Sequence, residues 1–408
     1  MKVDTMRSID RRVGVPLCAL ATVLLRLWWL IWPGRARPVR AVLFVELSEM
    51  GSTVLATPAM RKAQQKLNAE LYFVSFRRVG GSLDLLGTVP RANVFTLRDD
   101  SLWHLALDTF AFLIWTRRKN IDTVIDLELF SRFTALLTGF SGADRRVGFH
   151  RIHNEGLYRG DMLSHRVAYN PHIHIAKNFI AMVDALLVAE PTQYYAKTLI
   201  GDDQLAIAPI RATDTACDAI AARIRARMPQ YERNSQRIVL INPNASEMLP
   251  HRRWMPDRYA ELIRRILKTY DDVLVVITGA PNEREEAAVL ASQCDAARCL
   301  SLAGETTLIE LPPLYTLATA MVTNDSGPSH FAAATGLPTI VLFGPETPNL
   351  YRPLGNSRAI YAGLACSPCV SAHNHRKTAC TNNVCMQAIT VDEVFKAVNN
   401  VLSAPAAA

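Results

Sequence analysis

The feature that most limits how this chain can fold is a repeated alternation of short apolar, β-branched runs with helical patterns. Residues 41–47 (AVLFVEL) read as a first strand, broken at Glu49-Met50-Gly51-Ser52, and a helical pattern then runs to Leu67 with Pro58 in its first turns. Further strands are predicted at 71–75, 93–97 and 123–127, with helices at 82–86, 102–117 and 132–140. A charged, irregular stretch over 142–170 precedes a helix at 173–188. The rhythm then restarts, with strands at 238–241, 273–278, 320–323 and 338–343 and helices at 257–269, 283–293, 308–317 and 329–335. Short buried strands separated by helices imply a parallel sheet covered on both faces. The expected fold is therefore α/β, with two doubly wound domains facing each other and ligands at the carboxyl ends of their strands. No Gly-x-Gly-x-x-Gly follows either first strand, which argues against a dinucleotide-binding dehydrogenase.

A chain of 408 residues is too long for one ordinary core. The expected division is a membrane-associating segment (1–40), a first Rossmann-like domain (41–189), a connection (190–236) and a second domain (237–390). A last helix and tail (391–408) could pack back across the halves. The net charge of +8 suits an acidic ligand, a nucleotide or an anionic membrane without choosing among them. Neither a zinc-finger pairing of Cys with His nor an aromatic RNA-binding run is present, so no nucleic-acid partner is expected.

Residues 13–32 (VGVPLCALATVLLRLWWLIW) are long enough for a span of about 20 residues, but Arg26 interrupts them. Trp28, Trp29 and Trp32 cluster at one end, as rings at a lipid boundary do, and Arg7, Arg11, Arg12, Arg35, Arg37 and Arg40 flank both sides. A helix lying in the inner leaflet with Arg26 snorkelling to the headgroups fits best, ahead of a single span or a buried core helix. No small-x-small site follows, which argues against a cleaved signal.

The run Thr323-Asn324-Asp325-Ser326-Gly327-Pro328-Ser329-His330 passes from a strand end into a helix start. Asp325 or Ser326 is suited to cap that helix, Pro328 to its first turn, and Gly327 to a close approach of ligand to backbone. Free N–H groups there, with the helix dipole, would favour a diphosphate. Asp325 cannot sit against phosphate, so it must cap the helix, hold His330 or another donor, or reach a sugar hydroxyl. Gly336-Leu337-Pro338-Thr339 and Phe343-Gly344-Pro345-Glu346-Thr347-Pro348 give a second strand end beside the first. Either cluster alone would read as turn and capping residues.

Taken together, residues 324–348 resemble the signature of glycosyltransferase family 9, the lipopolysaccharide heptosyltransferases. Asn242-Pro243-Asn244-Ala245, Arg252-Arg253-Trp254-Met255-Pro256, Ser48-Glu49-Met50-Gly51-Ser52 with Thr57-Pro58-Ala59, and Arg146-Val147-Gly148-Phe149 after Gly142-Ala143 are similar to other family elements. The resemblance implies a GT-B fold and inverting transfer of a sugar, heptose or a related one, from a nucleotide-sugar such as ADP-heptose to a lipid-linked saccharide of the lipopolysaccharide core. It implies a cytoplasmic enzyme at the bacterial inner membrane. The donor's diphosphate-sugar is expected at Asp325, Ser326, Gly327, Pro328 and His330, with Asn244 nearby. Arg252 stands where the family has a phosphate-binding Lys and keeps the charge. Glu283 is a guess for the acid near the donor ribose.

The chain departs from the family at the first loop, where the Asp taken as catalytic base is replaced by Ser52. A serine hydroxyl is a poor base near neutral pH. Glu49 is the expected replacement, with the alternative that it is a solvated loop residue. Gly51, Arg78 and Arg132 are expected on the acceptor side, where Arg77, Arg145, Arg146 and Arg151 add basic character, unless these cations form a solvated face. No cofactor is expected beyond the nucleotide-sugar. Cys366, Cys369, Cys380 and Cys385, with His373 and His375 between, have a spacing that permits structural zinc, but their irregular steps favour reduced or redox-labile thiols. Cys18, Cys217, Cys294 and Cys299 read as ordinary small buried residues. A non-catalytic sugar-nucleotide-binding protein and a GT-B-type epimerase are the competing functions.

Overall fold

The computed structural model describes residues 3–31, 38–129, 131–150, 158–188, 197–233, 235–245, 249–374 and 376–404, so Trp32, Arg35, Arg37, Arg151 and His375 lie outside the described residues. The chain divides into two units, Met1–Ala206 and Ile207–Ala408.

Unit 1 opens with helices α1 (Val3–Arg12) and α2 (Gly14–Ile31). It continues through β1 (Ala41–Val45), α3 (Met50–Leu67), β2 (Glu70–Phe76), α4 (Arg77–Leu86), β3 (Val94–Leu97) and α5 (Leu102–Arg118). After these come β4 (Thr123–Asp126), α6 (Arg132–Phe140), β5 (Arg145–His150), β6 (His165–Ala168) and α7 (Ile175–Asp184). The strands form one parallel sheet in the order β3-β2-β1-β4-β5-β6, which reverses direction at β1/β4. Every residue of β1 is buried, because helices cover both faces: α3 touches α4 and α7, while α5 and α6 touch each other. Strands β5 and β6 lie in the stretch read as irregular. Their charged residues hid them. Buried Arg146 donates from Nε to Met162 O (2.7 Å) and sits over the Trp29 ring at 4.2 Å. Burial pushes its pKa down to about 10.

Helix α2 is neither a free span nor wholly sunk. One stripe docks on α6 and the 158–162 segment through Cys18, Ala21 and, partly buried, Leu25. Glycines make the close approach possible. A Cβ on Gly160, whose φ is +76°, would lie 2.8 Å from Thr22 Oγ1 and 2.9 Å from Cys18 O. Asp161 N–H donates to Thr22 Oγ1 at 2.8 Å. Arg26 keeps most of its side chain exposed, and its guanidinium is paired with Asp161.

Unit 2 comprises α8 (Asp214–Arg227), β7 (Arg237–Asn242), α9 (Pro256–Thr269), β8 (Val273–Ile277), α10 (Arg284–Ser292), β9 (Cys299–Ser301) and α11 (Leu311–Leu317). It ends with β10 (Ala320–Asn324), α12 (Gly327–Ala334), β11 (Thr339–Phe343), α13 (Pro348–Tyr351), β12 (Ser357–Tyr361), α14 (Val384–Gln387) and α15 (Val391–Leu402). Its parallel sheet, β12-β11-β10-β7-β8-β9, repeats the first topology and reverses at β7/β10. Helix α8, within the expected connection, buries Cys217, Ile220, Ala221 and Ile224 and packs on α11. Helix α15 places Val394 and Val398 in the core of unit 2 itself, packed on α9. The edge strands escaped prediction because β9 has only three residues and β12 is only partly buried.

Candidate active site

In a doubly wound sheet, ligands collect where the strand order reverses, at the carboxyl ends of the two diverging strands. In unit 2 these ends carry Asn242-Pro243-Asn244 after β7 and Asn324-Asp325 after β10. Asn324, fully buried, ties the place together. Its Oδ1 accepts from Trp254 N (3.1 Å) and Tyr259 Oη (3.1 Å), and its Nδ2 donates to Pro243 O (2.7 Å) and Asn244 O (3.3 Å). This anchors the turn that carries Arg252 beside the β10 end.

Arg252 then lies between two buried acids, its Nε 3.4 Å from Asp325 Oδ2 and its Nη2 3.0 Å from Glu346 Oε1. Both oxygens contact the guanidinium without a well-formed hydrogen bond among the described residues. Burial raises the pKa of each acid, while Arg252 holds it down. For Glu346, with Asp325 adding repulsion, the balance is pushed up to about 7. Burial also opposes the charge of Arg252, but Asp325 and Glu346 outweigh it and raise its pKa further. Asp325 therefore holds a donor, the second of the uses open to it, and does not cap α12.

Ser326 occupies the cap position of α12 but caps nothing: its Oγ donates to Asn324 O at 3.1 Å. The anion nest is thinner than expected, since Pro328 has no N–H and Ser329 N–H donates to Ser326 O at 3.1 Å. A Cβ on Gly327 would meet nothing within 4 Å, so no neighbouring group demands glycine and the space before the backbone is open. His330 is buried within α12.

Asn244 and Glu283 converge on Gly279. A Cβ there would lie 3.1 Å from Asn244 Nδ2 and 3.0 Å from Glu283 Oε2. Asn244 Nδ2 is a buried donor with no acceptor among the described residues. Glu283 Oε2 accepts from Ala280 N at 2.7 Å.

The late cysteine segment closes around the same site. Cys369 N–H and Val370 N–H donate to Pro345 O (3.0 and 3.2 Å), and Arg376 Nε reaches Glu346 Oε1 at 3.5 Å. Asn383 Nδ2 donates to His251 O and Arg253 O, both at 3.2 Å, gripping the turn on either side of Arg252. Cys366 is exposed, Cys369 and Cys380 are half-buried, Cys385 is buried, and all are free thiols. Burial, aided by Cys369 and Cys380, raises the Cys385 pKa. Among the described residues no three His, Cys, Asp or Glu side chains are grouped to hold a metal ion.

In unit 1 the reversal point carries carboxylates. Glu49 precedes the first turn of α3, and Ser52 Oγ donates to its Oε2 at 3.2 Å, so the two candidate residues are in contact. Gly51 is buried in that turn. Glu128, just past β4, had not been singled out, and it accepts from Leu47 N (2.9 Å) and Ser48 Oγ (3.3 Å). Part of Glu128 remains open, yet burial of its carboxyl raises its pKa against the pull of the Leu47 N–H. Arg78 is exposed and pairs with Asp99 at 3.0 Å. Arg132 is not an open cation: it is buried against Asp10 of α1 at 3.0 Å.

Two parallel sheets of this order, each with polar side chains at its reversal point, define a chain of the GT-B class built from two Rossmann-like units. Residues 115–379 match glycosyltransferase family 9 (heptosyltransferase), more than half of the chain, and the chain belongs to that family. It is 31% identical over 134 residues to lipopolysaccharide heptosyltransferase 2 of Escherichia coli (strain K12), covering 32% of this chain and 38% of that protein. Lipooligosaccharide heptosyltransferase 2 of Haemophilus influenzae is 34% identical over 117 residues, 28% of this chain and 34% of that protein. The matches thus span about two fifths or less of those relatives' length. The fold is that of the E. coli ADP-heptose lps heptosyltransferase II structure, with TM-score 0.67 at 20% identity over 89% of this chain and 98% of the other. E. coli heptosyltransferase WaaC with ADP gives TM-score 0.62 at 18% identity, over 88% and 99%.

Proposed function

We propose that this protein is an inverting glycosyltransferase that moves a heptose, or a related sugar, from a nucleotide-sugar to a lipid-linked saccharide of the lipopolysaccharide core. The observation that carries this reading is the Arg252 cluster at the β7/β10 reversal in a chain of family 9. Buried carboxyl oxygens without a formed hydrogen bond call for a polar partner, and the hydroxyls of a polyhydroxylated ligand can both donate to them and accept from them. Asp325 and Glu346 would take sugar hydroxyls. Arg252 would face the diphosphate and steady the charge that gathers on it as it leaves. Asn244 offers its unused N–H to a phosphate or ribose oxygen, and the open space before Gly327 admits the donor close to the backbone. Glu283 and His330 belong to the same donor group. ADP-heptose is the donor favoured by the names of the relatives.

Glu49 is the base in this reading, oriented by the Ser52 hydroxyl. It takes the proton of the acceptor hydroxyl, whose oxygen forms the new bond to the anomeric carbon. The bond to the leaving phosphate oxygen breaks with its electron pair, so one displacement inverts the centre. Helix α2, docked by one stripe and apolar on the other, would seat the protein on the cytoplasmic leaflet of the inner membrane.

Thermal shift with ADP and ADP-heptose, followed by mass spectrometry of a heptose-deficient core acceptor, tests this. Ligand at about 100 times its dissociation constant adds about 2.7 kcal/mol. The wild type should be stabilised and add one sugar to the acceptor, and R252A should lose both effects. Stabilisation without transfer would favour a non-catalytic binder, and a released isomer of the donor an epimerase.

A further inference from the structure

We infer that α5 is a second lipid-contacting surface, so that unit 1 meets an anionic bilayer through two helices rather than through α2 alone. The inference rests on the membrane reading of α2 and is independent of the sugar chemistry.

A surface helix of a soluble protein turns a polar face to water. Helix α5 does not. Its inner side enters the unit 1 core with Phe112, while its outer side carries Trp103, Leu107, Phe110 and Ile114, spaced as one helical stripe. Trp103 is 70% and Phe110 67% exposed. Ala106 and Ala111 lie between them, also exposed, so the stripe runs three turns without a charge. Patches of this kind are rare on soluble monomers unless something covers them.

The neighbourhood identifies the cover. Helix α6 touches both α5 and α2, so the two apolar surfaces flank one helix on one side of the sheet. Leu20, Val23, Leu24, Leu27 and Leu30 of α2 are all more than half exposed. Cations rim both surfaces: exposed Arg117 and Arg118 end α5, and exposed Arg11 and Arg12 end α1. Apolar side chains framed by basic ones match acyl chains beneath anionic headgroups. A second copy of this chain would instead bring the same cations together.

Flotation of the full chain with phosphatidylglycerol–phosphatidylethanolamine vesicles tests the inference. W103S/F110S should partition about tenfold or more weakly than wild type, the scale expected for losing two buried aromatic groups. W103F/F110L should bind as wild type does. Both substitutions lie on exposed positions, and an unchanged melting temperature separates lost binding from lost folding. If W103S/F110S floats like wild type, the α5 surface is refuted; loss of flotation in L20S/L24S would then leave α2 as the only contact. A wild-type dimer in light scattering that W103S/F110S converts to monomer, with flotation unaltered, would also overturn it in favour of self-association.

Discussion

At the scale of single residues, the decisive groups are carboxylates whose environments differ. Glu49 is half-buried and holds the Ser52 hydroxyl at 3.2 Å. E49Q keeps that shape but cannot take a proton, so transfer should fall about 10²–10⁴-fold with little change in donor KM, measured as kcat and KM separately. Glu346 behaves in the opposite sense. Its folded pKa of about 7 lies above the ordinary 4.5, so the folded state holds a proton that the unfolded chain releases. The stability this lends is complete below pH about 4.5 and is lost as pH rises through about 7. E346Q should therefore gain melting temperature relative to wild type across that window. Arg252 and Asp325 were readable in the sequence because they stand in recognisable runs. Glu346 and Asn324 stood in the same runs but read as turn residues, since only the fold brings the Arg252 turn onto them. Glu128 had no local signal, and its place at the unit 1 reversal point shows only in its contacts with Leu47 and Ser48.

At the scale of elements, two segments do work that their composition conceals. The late cysteine segment looked like a metal or redox feature, whereas its asparagine grips the turn around Arg252. N383A should weaken donor affinity about 5–20-fold through that turn, with a smaller loss of stability, as seen by calorimetric binding beside thermal melting. Helix α2 was recognised by its apolar run, but its docking depends on glycines far along the chain. G160A would press a Cβ against Thr22 and Cys18 O at a positive φ. It should cost about 1–3 kcal/mol and make α2 itself more susceptible to limited proteolysis. Strands β1, β4, β7, β8, β10 and β11 were visible because buried parallel strands are continuous apolar runs. Charged β5 and β6, the short edge β9 and the partly exposed edge β12 gave no such run.

At the scale of the whole molecule, the two-unit plan was plain from the repeated alternation. The break between Ala206 and Ile207 was not, because α8 belongs to unit 2 and carries no composition change to announce it. What the sequence could not convey is how many charges gather around Arg252. One arginine lies between two acids, with a second, Arg376, near one of them. A diphosphate arriving there adds negative charge beside Glu346 and draws its titration further upward. Binding should then capture a proton from solution near neutral pH. Isothermal titration with ADP in buffers of different ionisation enthalpy should give heats that vary with the buffer, and E346Q should remove the dependence. The site would act as a small proton sponge, coupling occupancy by nucleotide to the acidity of the surrounding compartment.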